Sequence, residues 1–469
     1  MSKAHEQELT AVNDEVPLRQ KFAYSTGLAA DFYAIQSVNL MAMIVYNVVL
    51  GVSPLVIGTI MATARFWDAF ADTFIGRVTD NYRSKYGRRK PFILIGSIAT
   101  AITLQLIWLV PEQASDLFSA IYFTVTLFLF YTAYTIFTVS YESLGSELTP
   151  GYEARNRLFA FRETLKGPIG LGIPWLTAMM YWDIFDSPLE GARYTALVVG
   201  VLIVAAGFIT VIGCRERYRS LAKEQSKVTF KQSLSVITKN KPLLFLATAA
   251  SLNLFGIFLN GSLGFYVSTY YLFGGDAESA TILGGYGGTL AIAGATLGAA
   301  FTMRFLSDID KTTLARYSLL CCAIFNAIQW FTITPQNPYL SLISLPLASA
   351  ANAAFWVAVA SLKADVCDWE EHRSGERREG VVSGAMSWMC KLGISLGLLF
   401  TGSLLSIIGF DSTSKNPPSA ELLANMKLNY VLVPTIFYSI CFWIMGFYPL
   451  SKQRCSEIRE SLELRRGWV

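Results

Sequence analysis

Residues 54–79 read PLVIGTIMATARFWDAFADTFIGRVT. No charge occurs from Pro54 to Ala64, and Arg65, Asp68 and Asp72 then follow within an otherwise apolar run. About 18 or more mostly apolar residues are enough to cross a bilayer as a helix, and a helix pairs its own backbone groups where lipid supplies no partner. An ionisable side chain at the centre of such a span costs about 2.5–3.5 kcal/mol on insertion scales and is functional by default. The stretch reads as a membrane helix built around a charge site.

The same pattern continues in both directions. The chain has 469 residues, 53% hydrophobic and 15% charged, against about 25% charged in ordinary soluble domains. Its charges collect in short segments, and the intervals between them predict spans at 24–50, 54–79, 91–110, 117–145, 160–182, 192–213, 243–272, 280–303, 314–333, 339–362, 380–408 and 429–449. The expected fold class is an all-α membrane protein of twelve transmembrane helices. Residues 1–23 form a polar tail with no apolar segment of the kind a cleaved leader needs. Seven cysteines, none in a C-x-x-C pair, imply neither a disulfide framework nor a zinc site.

Loop charge sets the orientation. Arg83, Lys85, Arg88, Arg89 and Lys90 follow the second span. Arg215, Arg217, Arg219, Lys223, Lys227, Lys231, Lys239 and Lys241 separate the sixth from the seventh, and Lys452, Arg454, Arg459, Arg465 and Arg466 lie in the tail 450–469. The alternate loops hold no Lys or Arg until Lys415 and Lys427 in the last. The positive-inside rule places both termini in the cytoplasm. The loop 214–242 divides the chain into six-helix bundles at 24–213 and 243–449, the layout of a major facilitator transporter. The segment Gly76–Asp80 with Gly87-Arg88-Arg89 resembles that superfamily's loop signature, and its counterpart near Arg304 and Asp308 is weak.

The charges within spans are few and ordered. Asp68 and Asp72 are four apart and share one helix face, with Arg65 one turn earlier. Two carboxylates in a low dielectric do not both stay ionised without a cation, and one arginine does not neutralise both, so the site predicts cation coupling. The competing reading is a structural ion pair of Arg65 with one aspartate. Asp31, in the first span, is suited to accept two hydrogen bonds from sugar hydroxyls, or to pair with Arg162 or Lys391. Tyr131, Thr135, Thr138 and Glu142 form one polar stripe on the fourth span, suited to line a cavity. Ser383, Ser387, Lys391 and Ser395 repeat it on the eleventh. Asn253 and Asn260 align on the seventh, and Asn352, Trp356 and Lys363 on the tenth, where Trp356 is placed either to stack on a sugar ring or to pack in the core. Arg162, Glu163 and Lys166 open the fifth span or lie in the cytoplasm beside it.

Several classes drop out. No phosphate loop is present for an ATP-driven pump. His5 and His372, the only histidines, lie outside the spans. The Gly284–Gly288 run lacks dinucleotide spacing and reads as close packing of the eighth helix. Enzymatic chemistry, a cofactor and a nucleic-acid partner are not expected.

Taken together, these residues resemble the glycoside–pentoside–hexuronide:cation symporters, the family of the melibiose permease. Arg65–Asp72 is similar to its second-helix signature, continued by Asp80-Asn81 and Gly87–Pro91. Ser143–Gly145, Thr149 and Arg155–Leu158 resemble its loop after helix 4. Asp365–Asp368, Glu371, Gly375, Arg377 and Glu379-Gly380 resemble its helix 10–11 connection, and Lys391 its helix 11 lysine. The resemblance implies a cation site of Asp68, Asp72 and Thr135 with Lys391 nearby; if the ion is Na⁺, Asp68 and Asp72 are its metal ligands. It implies a sugar site with Asp31 and Trp356, and a cytoplasmic closing network of Arg155, Asp365 and Asp368. Three departures stand out. Thr138 replaces a galactoside-binding aspartate and Glu142 a nearby tryptophan, which disfavours a galactoside. Ala71 replaces an asparagine between the carboxylates, which favours H⁺ over Na⁺. The helix 5 arginine falls on Arg162 or Glu163. With Thr138, Glu142, Arg162 and Ser387 added, the expected solute is a sugar, glycoside or uronide, the latter suited to Glu142, Arg162 and Lys363. The expected location is the bacterial inner membrane and the expected working unit a monomer. A carrier of a non-sugar solute such as a lysolipid is the alternative, and would need apolar walls in place of these polar stripes. A receptor would need a signalling domain that the short ends do not hold.

Overall fold

The computed structural model describes residues 16–82, 84, 86–149, 152–215, 240–306, 308–375, 379–414 and 416–466. Arg83, Lys85, Arg217, Arg219, Lys223, Lys227, Lys231, Lys239, Arg377 and Lys415 lie outside these residues, as do most of the tail 1–23 and of the loop 214–242. All regular structure among the described residues is helical. Twelve long rods follow in order: α1 (Leu18–Met43), α2 (Pro54–Asn81), α3 (Lys90–Ile107), α4 (Asp116–Glu147), α5 (Tyr152–Gly170), α6 (Pro188–Gly213), α7 (Lys241–Tyr266), α8 (Ala277–Phe305), α9 (Lys311–Thr332), α10 (Ser344–Ser374), α11 (Glu379–Ile407) and α12 (Ala420–Gly446). A thirteenth helix, α13 (Lys452–Arg466), stands where the sequence predicts a plain tail.

Ten of the helical segments are long and apolar enough to cross a membrane. The two rods outside that set are α2, with Arg65, Asp68, Asp72, Arg77 and Asp80, and α5, with Arg155, Arg157, Arg162, Glu163 and Lys166. Large apolar side chains such as Ile95, Ile102, Val201, Phe208, Leu297 and Phe301 face outward, as lipid in place of water allows. Six helices start on a side-chain cap, from Ser115, Ser187, Asn240, Asp276, Asp310 and Ser419, each accepting the third residue's amide.

The chain divides into two compact units, Met1–Val52 with Thr63–Ser226, and Ser53–Ala62 with Lys227–Val469. Within the first, α1 packs on α5 and α6, and α3 on α4 and α6. Six helices later the pairs recur: α7 on α11 and α12, α9 on α10 and α12. The repeat extends to detail. Shifting the numbering by 223 residues carries Leu18 onto Lys241 and Ile44 onto Val267. Both α1 and α7 then widen into six π-helical residues, Ile44–Val49 and Val267–Leu272. They close alike, Leu50 N–H to Val45 O at 3.0 Å and Phe273 N–H to Ser268 O at 3.1 Å.

Close backbone approach holds neighbouring rods. A Cβ on Gly96 (α3) would stand 2.6 Å from the Phe137 backbone nitrogen of α4, and one on Gly393 (α11) 2.1 Å from the Ser251 carbonyl of α7. The tight packing expected of the Gly284–Gly288 run is met at Gly287, where a Cβ would stand 2.9 Å from a Leu345 methyl of α10, and it continues further along α8. Gly284 has nothing within 4 Å of such an atom, whereas Gly294 and Gly298 abut Pro346 and Ala350 of α10 at 2.3 and 2.5 Å.

Several boundaries differ from expectation and move charges. α5 starts at Tyr152 rather than 160, so Arg162 sits about three turns inside it. α10 continues to Ser374, so Asp365, Asp368 and Glu371 ride on a helix rather than in a connection. α13 docks through Ile458 (2% exposed) and Leu462 (4%) on a core that includes Leu362, Val366 and Met445.

Candidate functional site

The polar stripe of α4 is the spine of the first unit's charge site, and each member meets a different partner. Tyr131, fully buried, lies under the Arg65 guanidinium, 5.1 Å from its ring centre. Arg65 Nη1 donates to Asp68 Oδ2 at 3.4 Å, so the expected alternative of an ion pair with one aspartate is present for Asp68. The Thr135 hydroxyl donates to Asp68 Oδ1 at 2.9 Å, and it also lies 2.8 Å from the Tyr131 carbonyl. Asp68 is wholly buried, and this ring of donors is what makes its charge tolerable. Asp72, one turn on along α2, is half-buried. Trp67 ties α2 to α4 through Nε1–H to Thr132 Oγ1 at 3.0 Å.

One turn below, Asp31 of α1 accepts at Oδ1 from Tyr134 (2.7 Å) and Thr138 (2.9 Å). Its Oδ2 takes no hydrogen bond among the described residues. Arg162 is committed elsewhere: Nη1 reaches Glu142 at 2.7 Å, Nη2 reaches Glu163 at 3.0 Å, and its face lies 5.0 Å from the Phe159 ring centre. Of the two alignments left open on α5, Arg162 is the inward residue, with a side chain 12% exposed against 50% for Glu163. Lys166 lies over the Phe32 ring at 5.5 Å.

The first unit therefore brings together Asp31, Asp68, Thr135, Thr138, Glu142 and Arg162 along one helix face. Tyr134 was not among the predicted site residues, although it donates the shorter of Asp31's two hydrogen bonds. Its signal was its place three residues after Tyr131, on the same face. Where α2 meets α3 the loop signature is a closed cluster: buried Arg89 donates to Thr79 at 2.7 Å, to Glu147 at 2.8 Å and to Asp80, and Arg88 donates to Glu147 at 2.6 Å.

The remaining predicted residues belong to the second unit. Lys391 and Trp356 are half-buried on α11 and α10, and Ser387 is exposed on α11. Asp365 holds Lys311 Nζ at 2.8 Å to both oxygens, and Asp368 lies one turn further on α10. Arg155, their expected partner, is half-buried near the start of α5 in the first unit. Among the described residues no three His, Cys, Asp or Glu side chains gather as a metal cluster.

A family model described as MFS/sugar transport protein matches residues 25–452. The chain belongs to that family. Among its MFS/sugar transport relatives, a glucuronide carrier protein homolog of Escherichia coli (strain K12) is 24% identical, with 97% of each chain covered. A putative glycoside/cation symporter of the same organism is 24% identical over 97% of this chain and 96% of its own. The crystal structure of a D-xylose-proton symporter shares the fold at a TM-score of 0.65 and 13% identity, covering 92% of this chain and 98% of that one. The family expected from Arg65–Asp72, the loop signature and Lys391 is thus the one found, and the protein is a multi-pass membrane transporter of the major facilitator type.

Proposed function

We propose that this protein is a symporter that couples inward movement of one monovalent cation to uptake of a sugar, glycoside or uronide. The observation that carries the reading is the pair of carboxylates held by hydroxyl donors on one face of α4, Asp68 by Thr135 and Asp31 by Tyr134 and Thr138. Asp68 and Asp72, with Thr135 and Lys391, hold the coupling ion. Arg65 neutralises part of that charge, and the ion answers the rest. Asp31 offers its second oxygen to the solute, Trp356 a ring face, and Thr138, Glu142, Arg162 and Ser387 further polar contacts. The Arg162–Glu142 pair favours an anionic solute, since a uronate can displace Glu142 from the guanidinium. The relatives named for glucuronide and glycoside agree with this class.

The cycle is alternating access of the bundles 24–213 and 243–449, with Arg155, Asp365 and Asp368 closing the cytoplasmic side. Moving one positive charge inward gains about 2.3 kcal/mol per 100 mV, enough to drive accumulation. We place the chain as a monomer in the bacterial inner membrane with both termini cytoplasmic. Ala71 supplies no amide oxygen beside the carboxylates, and we assign H⁺ over Na⁺ on that ground.

Proteoliposomes with an imposed gradient test the reading. Asp72→Asn should abolish uptake of labelled glucuronide against its gradient while leaving equilibrative exchange. Accumulation that survives the change removes the cation site from helix α2. A pH step without Na⁺ should drive uptake, and dependence on Na⁺ alone would reverse the ion assignment.

A further inference from the structure

The asparagines of the second unit have no part in the reading above. Asn326 of α9 shows what a structural amide does inside such a bundle. It is 2% exposed, its Oδ1 accepts from Asn260 of α7 at 2.8 Å, and its Nδ2 donates to the Val431 carbonyl at 2.8 Å and to Thr435 at 2.9 Å. Three helices, α7, α9 and α12, are tied by one well-satisfied side chain.

Asn253, two turns earlier on α7, differs. It is fully buried, its Oδ1 receives Asn352 Nδ2 of α10 at a long 3.4 Å, and its own Nδ2 meets no acceptor among the described residues. Exchanging the amide nitrogen and oxygen trades a spare donor for a spare acceptor and leaves a polar group over either way. Within a membrane span such a group is costly unless a partner reaches it. Packing alone does not account for it, because an apolar residue of that size would cost less.

The surroundings say which partner fits. Asn352 is half-buried and also meets the Cys322 thiol. Trp356 lies one turn along α10 on the same face, half-buried, its ring edge-on to Phe355 at 5.7 Å. A pair of amides with unused hydrogen-bonding capacity beside an indole face complements a pyranose, which offers hydroxyls that both donate and accept and a flat C–H face. Neither a bare cation nor a lipid chain uses both features.

We propose that Asn253 and Asn352, with Trp356, form a hydroxyl-recognition site for the solute in the second unit. This rests on the sugar reading of the function and adds residues that set which hydroxyl pattern is accepted.

The test uses the full chain in nanodiscs, with methyl β-D-glucuronide, methyl β-D-xyloside and their monodeoxy derivatives as binding probes. Asn253→Leu and Asn352→Ala should each weaken binding of the preferred probe at least tenfold. In wild type one monodeoxy derivative should lose a similar factor, and in Asn253→Leu that derivative should bind no worse than its parent, because the lost hydroxyl and the lost amide are one interaction. A purely structural role does not produce that cancellation. Asn326→Ala is the contrast, lowering the melting temperature with solute affinity unchanged. Asn352→Ala carries the test if Asn253→Leu does not fold. Variants that bind every probe as wild type does overturn the amide site alone. A wild type that binds none of the probes overturns the sugar reading and this proposal with it.

Discussion

Asp31 and Asp68 both answer to hydroxyls on α4, and single hydroxyls are therefore the sharpest levers. Thr135→Val keeps the shape and removes the donor to Asp68, a hydrogen bond to a charged group worth about 1.5–3 kcal/mol. Its outcome separates the ions. A Na⁺ site loses an oxygen ligand and should need about tenfold or more Na⁺ for half-maximal uptake, whereas proton-driven uptake should show no Na⁺ requirement before or after the change. Tyr134→Phe and Thr138→Val both act on Asp31 Oδ1. Each should weaken solute binding several-fold, and the double variant should lose less than the product of the two, because they share one acceptor. Asp31, Asp68, Thr135 and Thr138 were legible because charge in a span is rare and the polar positions recur with the helical period. Their pairing was not: which partner faces which rung depends on the relative height of neighbouring helices, and one sequence does not encode that separately. Tyr134 was missed because a tyrosine in an aromatic-rich helix reads as aromatic packing.

The helices themselves predict where change is tolerated. Gly393→Val would drive a side chain into the Ser251 carbonyl, and overpacking of this kind costs about 1–3 kcal/mol or more, so a lower melting temperature in detergent is expected. Gly284→Ala meets nothing within 4 Å and gains about 1 kcal/mol of helix propensity, so it should be neutral or stabilising. At the start of α8, Asp276 accepts from the Ser279 side chain and from the Ser279 amide at 3.1 Å, and that hydrogen bonding, the side chain's first, holds its carboxyl below the usual range. A lowered folded value means the cap's contribution is complete above the ordinary carboxylate pKa and fades as pH falls through the folded one. Hydrogen exchange in residues 277–281 should accelerate only in that acidic window, and Asp276→Ala should show the fast exchange already at neutral pH. Hydropathy marked these rods, but the ends of α5 and α10 were misplaced by about two turns or more. Charges such as Arg162 and Asp365 suggest water to a reader of sequence, and in the fold they are carried on helix and satisfied by Glu142 and Lys311.

For the molecule as a whole, lipid is what made the architecture readable, since it forces each crossing into a helix, and most of them into long apolar runs. The two rods that fail a plain apolarity criterion, α2 and α5, hold charges that we propose for coupling and solute binding, and local rules are expected to fail where function sits. α13 was invisible to that logic because it does not cross. Its buried Ile458 and Leu462 make it part of the second unit's core. Ile458→Ala should therefore destabilise by about 2–4 kcal/mol, visible as earlier unfolding of that unit, while substitution of Gln453, exposed on the same helix, should not.

The wide turns that end α1 and α7 carry a historical consequence. Hydrogen bonds that coincide after one fixed numerical shift are the mark of an ancestral half-length chain copied and joined to itself, and a register that has survived unaltered implies that insertions there were not accepted. Val48 and Tyr271 are twins under that shift. Deleting either should tighten its turn to ordinary helical pitch, and the two lesions should resemble each other more than either resembles a deletion a few positions away.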